Sequence, residues 1–130
     1  MIRTFAATLV LAVVPTLGYA LDANDMPFRP VPSAGPIKVV SKNLHPDAMI
    51  VSAMSNNSPS GAMLNLTVEN VAFIAVRIEV GCLVFAGDEP IYEMSGIAAN
   101  VPDGTSGILG GEVPSNATGA ACRVLSVEPE

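Results

Sequence analysis

From residue 37 onward the chain alternates between short apolar runs and clusters of Pro, Gly, Asn, Asp and Ser. The clearest run covers residues 73–85. Ile74, Val76, Ile78, Val80, Cys82 and Val84 fall at every second position, with Arg77 and Glu79 between them. Side chains alternate faces along a strand, so this period of two predicts a strand with one buried face. A helix would bring Ile74, Arg77 and Ile78 to one side instead. Residues 63–69 repeat the pattern, with Leu64, Leu66 and Val68 opposed by Asn65, Thr67 and Glu69.

Further strands are predicted at residues 37–42, 48–54, 91–97, 105–113 and 120–128. Between them stand strong turn signals: His45-Pro46-Asp47, the polar run from Ser55 to Gly61, Gly87-Asp88-Glu89-Pro90 and Pro102-Asp103-Gly104. Gly107, Gly110 and Gly111 give the 105–113 run the character of an edge strand with a bulge. In the last run, simple alternation puts Cys122, Val124 and Ser126 on one face. Ala121, Arg123, Leu125 and Val127 fall on the other. No segment carries the apolar stripe of a helix. About seven short strands separated by turns predict a single antiparallel, immunoglobulin-like β-sandwich over residues 37–130.

The N-terminal segments read differently. Met1-Ile2-Arg3 is a short positive start, residues 5–14 are apolar and uncharged, Pro15 breaks the run, and Gly18-Tyr19-Ala20 offers small residues at a cleavage site. Residues 1–20 are thus expected to be a secretory signal peptide. Residues 21–36 hold Pro27, Pro30, Pro32 and Pro36 among Asp22, Asn24 and Asp25, which predicts an extended Pro-rich tether. The implied location is the periplasm or the external medium, and the mature chain of about 110 residues fits one domain.

Composition narrows the function classes. Loss of Arg3 with the signal leaves Arg29, Lys38, Lys42, Arg77 and Arg123 against 12 acidic residues. Without a basic cluster there is no footprint for nucleic acid or for an anionic membrane surface. The longest apolar stretch after the signal, residues 71–86, is interrupted by Arg77 and Glu79, so no stable membrane insertion is expected. Cys82 and Cys122 form an isolated pair, which in an oxidising compartment predicts one disulfide. Two free thiols serving a metal or redox reaction are the alternative, but the chain has no C-x-x-C and a single His.

The region from Leu64 to Val127 resembles the FxLYD-type domains, small bacterial exported modules with an immunoglobulin-like sandwich. The resemblance rests on the alternating run Leu64-Asn65-Leu66-Thr67-Val68-Glu69-Asn70, the long run from Val76 to Phe85, and the Gly87-Asp88 turn. The Pro102-Asp103-Gly104-Thr105 turn departs from that family's Pro-Gly-Glu, and Leu83-Val84-Phe85-Ala86 lacks its Tyr-Asp ending. The resemblance implies a fold and a compartment; the family shares no catalytic residues to carry over.

Candidate chemistry is sparse. A nucleophilic triad needs a base beside the nucleophile, and the only His, His45, sits in a turn with no G-x-S-x-G around any Ser. No residue set supplies both nucleophile and base, so no enzyme is expected and no cofactor is called for. The first reading is a non-enzymatic exported module that binds another envelope or secreted protein. The contact would be a strand edge, with 105–113 as the candidate. The alternative is a periplasmic copper-binding protein using His45, Met49 and Met54, since thioethers and imidazole suit Cu(I).

Overall fold

The computed structural model describes residues 27–42, 45–58 and 61–130. The expected signal peptide and the first part of the tether lie outside these residues. Nine strands form among the described residues: β1 Arg29–Pro30, β2 Ser33–Ala34, β3 Lys38–Lys42, β4 Ala48–Ser58, β5 Gly61–Asn70, β6 Val76–Ala86, β7 Glu89–Val101, β8 Ser106–Val113 and β9 Gly119–Pro129. They make two packed sheets, one ordered β1-β3-β9-β6-β7 and the other β2-β4-β5-β8. The molecule is an all-β sandwich. The β4–β5 and β6–β7 pairs are hairpins, whereas β5–β8 and β6–β9 join strands three apart in the chain. Two pairings, β3 with β9 and β2 with β4, are parallel and so depart from a purely antiparallel arrangement.

The period of two is the source of this architecture. Leu64, Leu66 and Val68 of β5 face Ile78, Val80 and Val84 of β6 across the interior, and all are fully buried. Their areas supply the main favourable term of folding. The disulfide forms between Cys82 and Cys122, which stand directly opposite each other on β6 and β9 with Cα atoms 4.1 Å apart. It therefore joins neighbours within one sheet and does not span the two.

Several elements differ from the sequence pattern for identifiable reasons. The strand expected over 73–85 begins only at Val76, and Phe73 and Ile74 lie in the exposed loop before it. The strand expected over 48–54 extends to Ser58, and its pairing with β5 continues to Ser58 opposite Gly61, through residues whose polar run signals a loop. No bulge interrupts the β5–β8 register; the glycines answer a close approach instead. A Cβ at Gly110 would overlap Asn65 Oδ1 and the Leu64 carbonyl oxygen, whereas one at Gly111 would meet nothing. Register shifts fall in the β4–β5, β6–β7 and β6–β9 pairings, and on β9 the register steps from Val124 to Ser126. Val127 then turns inward opposite Ile78, and Ser126 turns outward, its hydroxyl donating to Glu79 Oε1 at 3.3 Å. Simple alternation had these two residues on the opposite faces.

The Pro-rich stretch is docked from Phe28 onward. It crosses from the first sheet (β1) to the second (β2) and back (β3), with Val31 and Ile37 buried in the core. The buried Ser55 hydroxyl pins the crossing: it accepts from Ile37 N–H at 3.0 Å and donates to the Ala34 carbonyl at 3.4 Å. Gly35, at φ +98°, passes so close to the Ser55 carbonyl that only glycine fits.

Two outcomes test this account. The disulfide closes a 40-residue separation, for which loop entropy gives about 4 kcal/mol. Reduction is expected to lower the unfolding free energy by about 2–4 kcal/mol in urea while the far-UV sheet signal persists. Gly110→Ala is expected to cost about 1–3 kcal/mol, and Gly111→Ala to stay within about 0.5 kcal/mol. Equal effects at the two glycines would refute the close-approach explanation.

Candidate functional site

On the solvent face of the five-stranded sheet, alternation carries Gly81, Leu83 and Phe85 outward from β6. The paired register sets Ala121 opposite Leu83, Arg123 opposite both Gly81 and Lys42, and Glu93 opposite Leu83 on the other side. Small residues at the centre and large ones around them produce a groove of about 670 Å³. Its lining combines the small Gly81 and Ala121 with the large apolar Phe28, Leu83, Phe85 and Leu125. That volume falls within the range of small binding sites. The β9 bulge builds one wall: Leu125 lies over Gly81 so closely that a Cβ there would sit 2.9 Å from Leu125 Cδ1. The docked N-terminal segment builds another, with Lys42 Nζ stacked 4.8 Å from the Phe28 ring centroid.

The rim carries Lys42, Arg123 and Glu93. Lys42 and Arg123 are register partners on adjacent strands. Their juxtaposition, with Glu93 across the groove, leaves one net positive charge beside the apolar lining. In a chain of net charge −6 this local excess of cation stands out from the rest of the surface.

A second apolar feature lies at one end of the sandwich. The loop of residues 71–75 presents Val71, Phe73 and Ile74 to solvent, and Phe73 is 96% exposed. Its backbone is fixed by a fully buried Asn70. Asn70 Nδ2 donates to the carbonyls of Ile74 (2.8 Å) and Val101 (2.9 Å), and Oδ1 accepts from Ala72 N–H at 2.8 Å. The Asn70 backbone N–H reaches Thr105 O at 2.9 Å, and Val71 N–H reaches Asp47 O at 2.9 Å. The loop is thus tied to two neighbouring loops. Its exposed side chains do not result from a lack of internal bonds.

The structure separates the other sequence-predicted residues. His45 lies in the β3–β4 turn, where Nδ1 accepts from Asp47 N–H at 3.1 Å. Met49 stands opposite Glu69 and Met54 opposite Asn65, at different positions along β4, both exposed. Met63 stands opposite Asn56. Among the described residues, no group of three or more His, Cys, Asp and Glu gathers into a metal-sized cluster. The 105–113 segment forms β8, which pairs only with β5 and is the terminal strand of its sheet, as the edge reading expects. Its inner side is packed against β7: Leu109 touches Gly96, and Gly107 lies under Val101 and Ala98.

Sequence reasoning missed the groove. One signal was present: from Gly81 to Phe85 both faces of the run are apolar, which a half-buried strand does not require. Phe28 gave no signal, because it lies in the Pro-rich stretch. The chain matches no protein-family model, no curated protein and no solved structure.

Asn70 supplies two donors and one acceptor where aspartate would supply acceptors alone. Asn70→Asp is therefore expected to destabilise more than Asn70→Ala, and the alanine to cost about 2–3 kcal/mol by leaving buried partners unpaired. Urea titration reads both effects. Faster proteolytic cleavage within 71–75 should accompany them.

Proposed function

We propose that this chain is an exported, non-enzymatic interaction module of the cell envelope. On this reading its groove on the five-stranded sheet receives a segment of another envelope or secreted protein. The groove carries the proposal. The apolar lining around the small Ala121 offers a socket for a large side chain, and the Lys42–Arg123 pair, on a rim shared with Glu93, orients an acidic neighbour. Interfaces concentrate their energy in such central pockets, with charge fixing register and encounter rate.

Two further features support the compartment. A disulfide persists in oxidising surroundings, where small domains use one to supplement a limited core. The segment of residues 1–20 has the sequence character of a signal peptide. No helix among the described residues is long and apolar enough to cross a membrane. The groove differs in kind from the strand edge at β8 as a contact. It recognises side chains, whereas an edge would bond any extended backbone.

A photo-activatable amino acid placed at Leu83 in the groove, or at Met54 on the opposite sheet, tests the proposal in the native envelope. A discrete protein adduct from position 83 and none from position 54 is the expected result. Ala121→Trp, which fills the groove, should remove the adduct while leaving the unfolding midpoint unchanged. Adducts of equal yield from both faces would show that the groove is not the binding site.

A further inference from the structure

We infer that the groove's occupant is a second copy of this chain, which inserts Phe73 and Ile74 from its 71–75 loop. This inference rests on reading the groove as a protein-binding site. Three observations carry it, and they come from different parts of the molecule.

The first is shape. A loop that exposes a whole Phe ring and half of an Ile, yet is braced by a buried asparagine, is a preorganised plug. Its conformation requires no ordering on binding, which removes a main cost of association. The groove provides the matching concavity, with an apolar lining that includes Phe28, Leu83, Phe85 and Leu125 around the small Ala121.

The second is charge. The plug is flanked by Asp47, whose carbonyl holds Val71, by Asp103 in the turn that holds Asn70, and by Glu130, whose N–H reaches Ala75 O at 3.3 Å. Arg77, the basic residue nearest the loop in the chain, stands opposite Glu128 on β9. The groove rim carries Lys42 and Arg123 with Glu93, a balance of one positive charge. An acidic collar meeting a rim of net positive charge is complementary between copies. The same collar disfavours insertion of Phe73 into an anionic lipid surface.

The third is position. The plug precedes Val76 at one end of β6, and the groove begins at Gly81 and runs toward Phe85 at the other. The braced plug cannot reach its own groove, and occupying one leaves the other open. The contact joins two different surfaces, so each copy can engage two neighbours, and we take it to continue past a reciprocal pair into rings or filaments.

The test uses the full exported chain, with mass followed against concentration by light scattering. Wild type is expected to grow in average mass as concentration rises. Phe73→Ser combined with Ile74→Ser changes only exposed side chains. It should raise the concentration of half-association tenfold or more, and Ala121→Trp should do the same from the groove side. Mixing the two variants is the decisive step: one keeps an intact groove and the other an intact plug, so they should form a dimer that grows no further. Association of the plug variant equal to wild type, or a mixture that stays monomeric, overturns the inference. So does a wild type that remains monomeric and instead binds phosphatidylcholine vesicles through Phe73. If wild type is monomeric but position 83 still yields an adduct with a different envelope protein, self-assembly fails and the interaction reading stands. If it is monomeric and no adduct forms, both fail.

Discussion

The lock between β6 and β9 is the contact on which the rest of the molecule depends. Cys82 and Cys122 face each other at the centre of the five-stranded sheet, and the remaining strands of that sheet attach outward from this pair. On one side β6 carries β7 through a hairpin. On the other, β9 carries β3, which arrives from the opposite end of the chain and pairs in parallel. Pairing of such distant segments is opposed by chain entropy, because a long loop must close before the contacts form. A bond between positions 82 and 122 removes part of that cost. It does so at the β6–β9 seam, next to the β9–β3 pairing that joins the two ends of the chain, which local hairpins cannot stabilise.

The same seam generates the groove. With β9 held beside β6, the extra residue at Leu125 has to be absorbed as a bulge, and a bulge re-aims the side chains on both sides of it. Val127 enters the core, Ser126 turns out to Glu79, and Leu125 is laid across Gly81. One inserted residue thus repairs the inner face and raises a wall on the outer one. The opposite wall comes from the N-terminal segment, which Ser55 and Gly35 steer across both sheets so that Phe28 lands beside Lys42. The groove is a consequence of how two chain ends are sewn onto the central strands.

This explains which features could be read from the sequence. Period-two patterning placed the core residues of β5 and β6, because the face a residue takes is set by its own strand. The seven strands of five residues or more, the turn at Gly87-Asp88 and the terminal position of β8 follow from the same local rules. The bulge at Leu125 could not be found that way. Its location depends on the partner's register, and nothing in Val124-Leu125-Ser126 marks it. Phe28 was hidden for a similar reason: prolines predict an extended chain, and an extended chain can hang free or dock as a strand. Phe73 fitted the alternating pattern by type but lies beyond the end of β6, because Asn70 turns the chain out before the strand begins.

Asn70 also bears on how this small domain distributes its stability. A fully buried amide is tolerated only when every polar atom is paired, and an apolar residue would have been the less demanding choice for the core. Here the amide's bonds run to the loop of Phe73 and to Val101 at the end of β7, so the residue stabilises an exposed shape more than an interior one. Folding alone does not require a braced loop that ends in an unshielded aromatic ring, since a Gly or Ser tip would join β5 to β6 at no hydrophobic cost. The groove shows the same preference. Ala121 keeps a small side chain on a sheet face where a larger β-branched residue would strengthen the strand. A rigid convex apolar tip and a rigid concave apolar face, each maintained against the easier choice of residue, are what a surface built for contact requires.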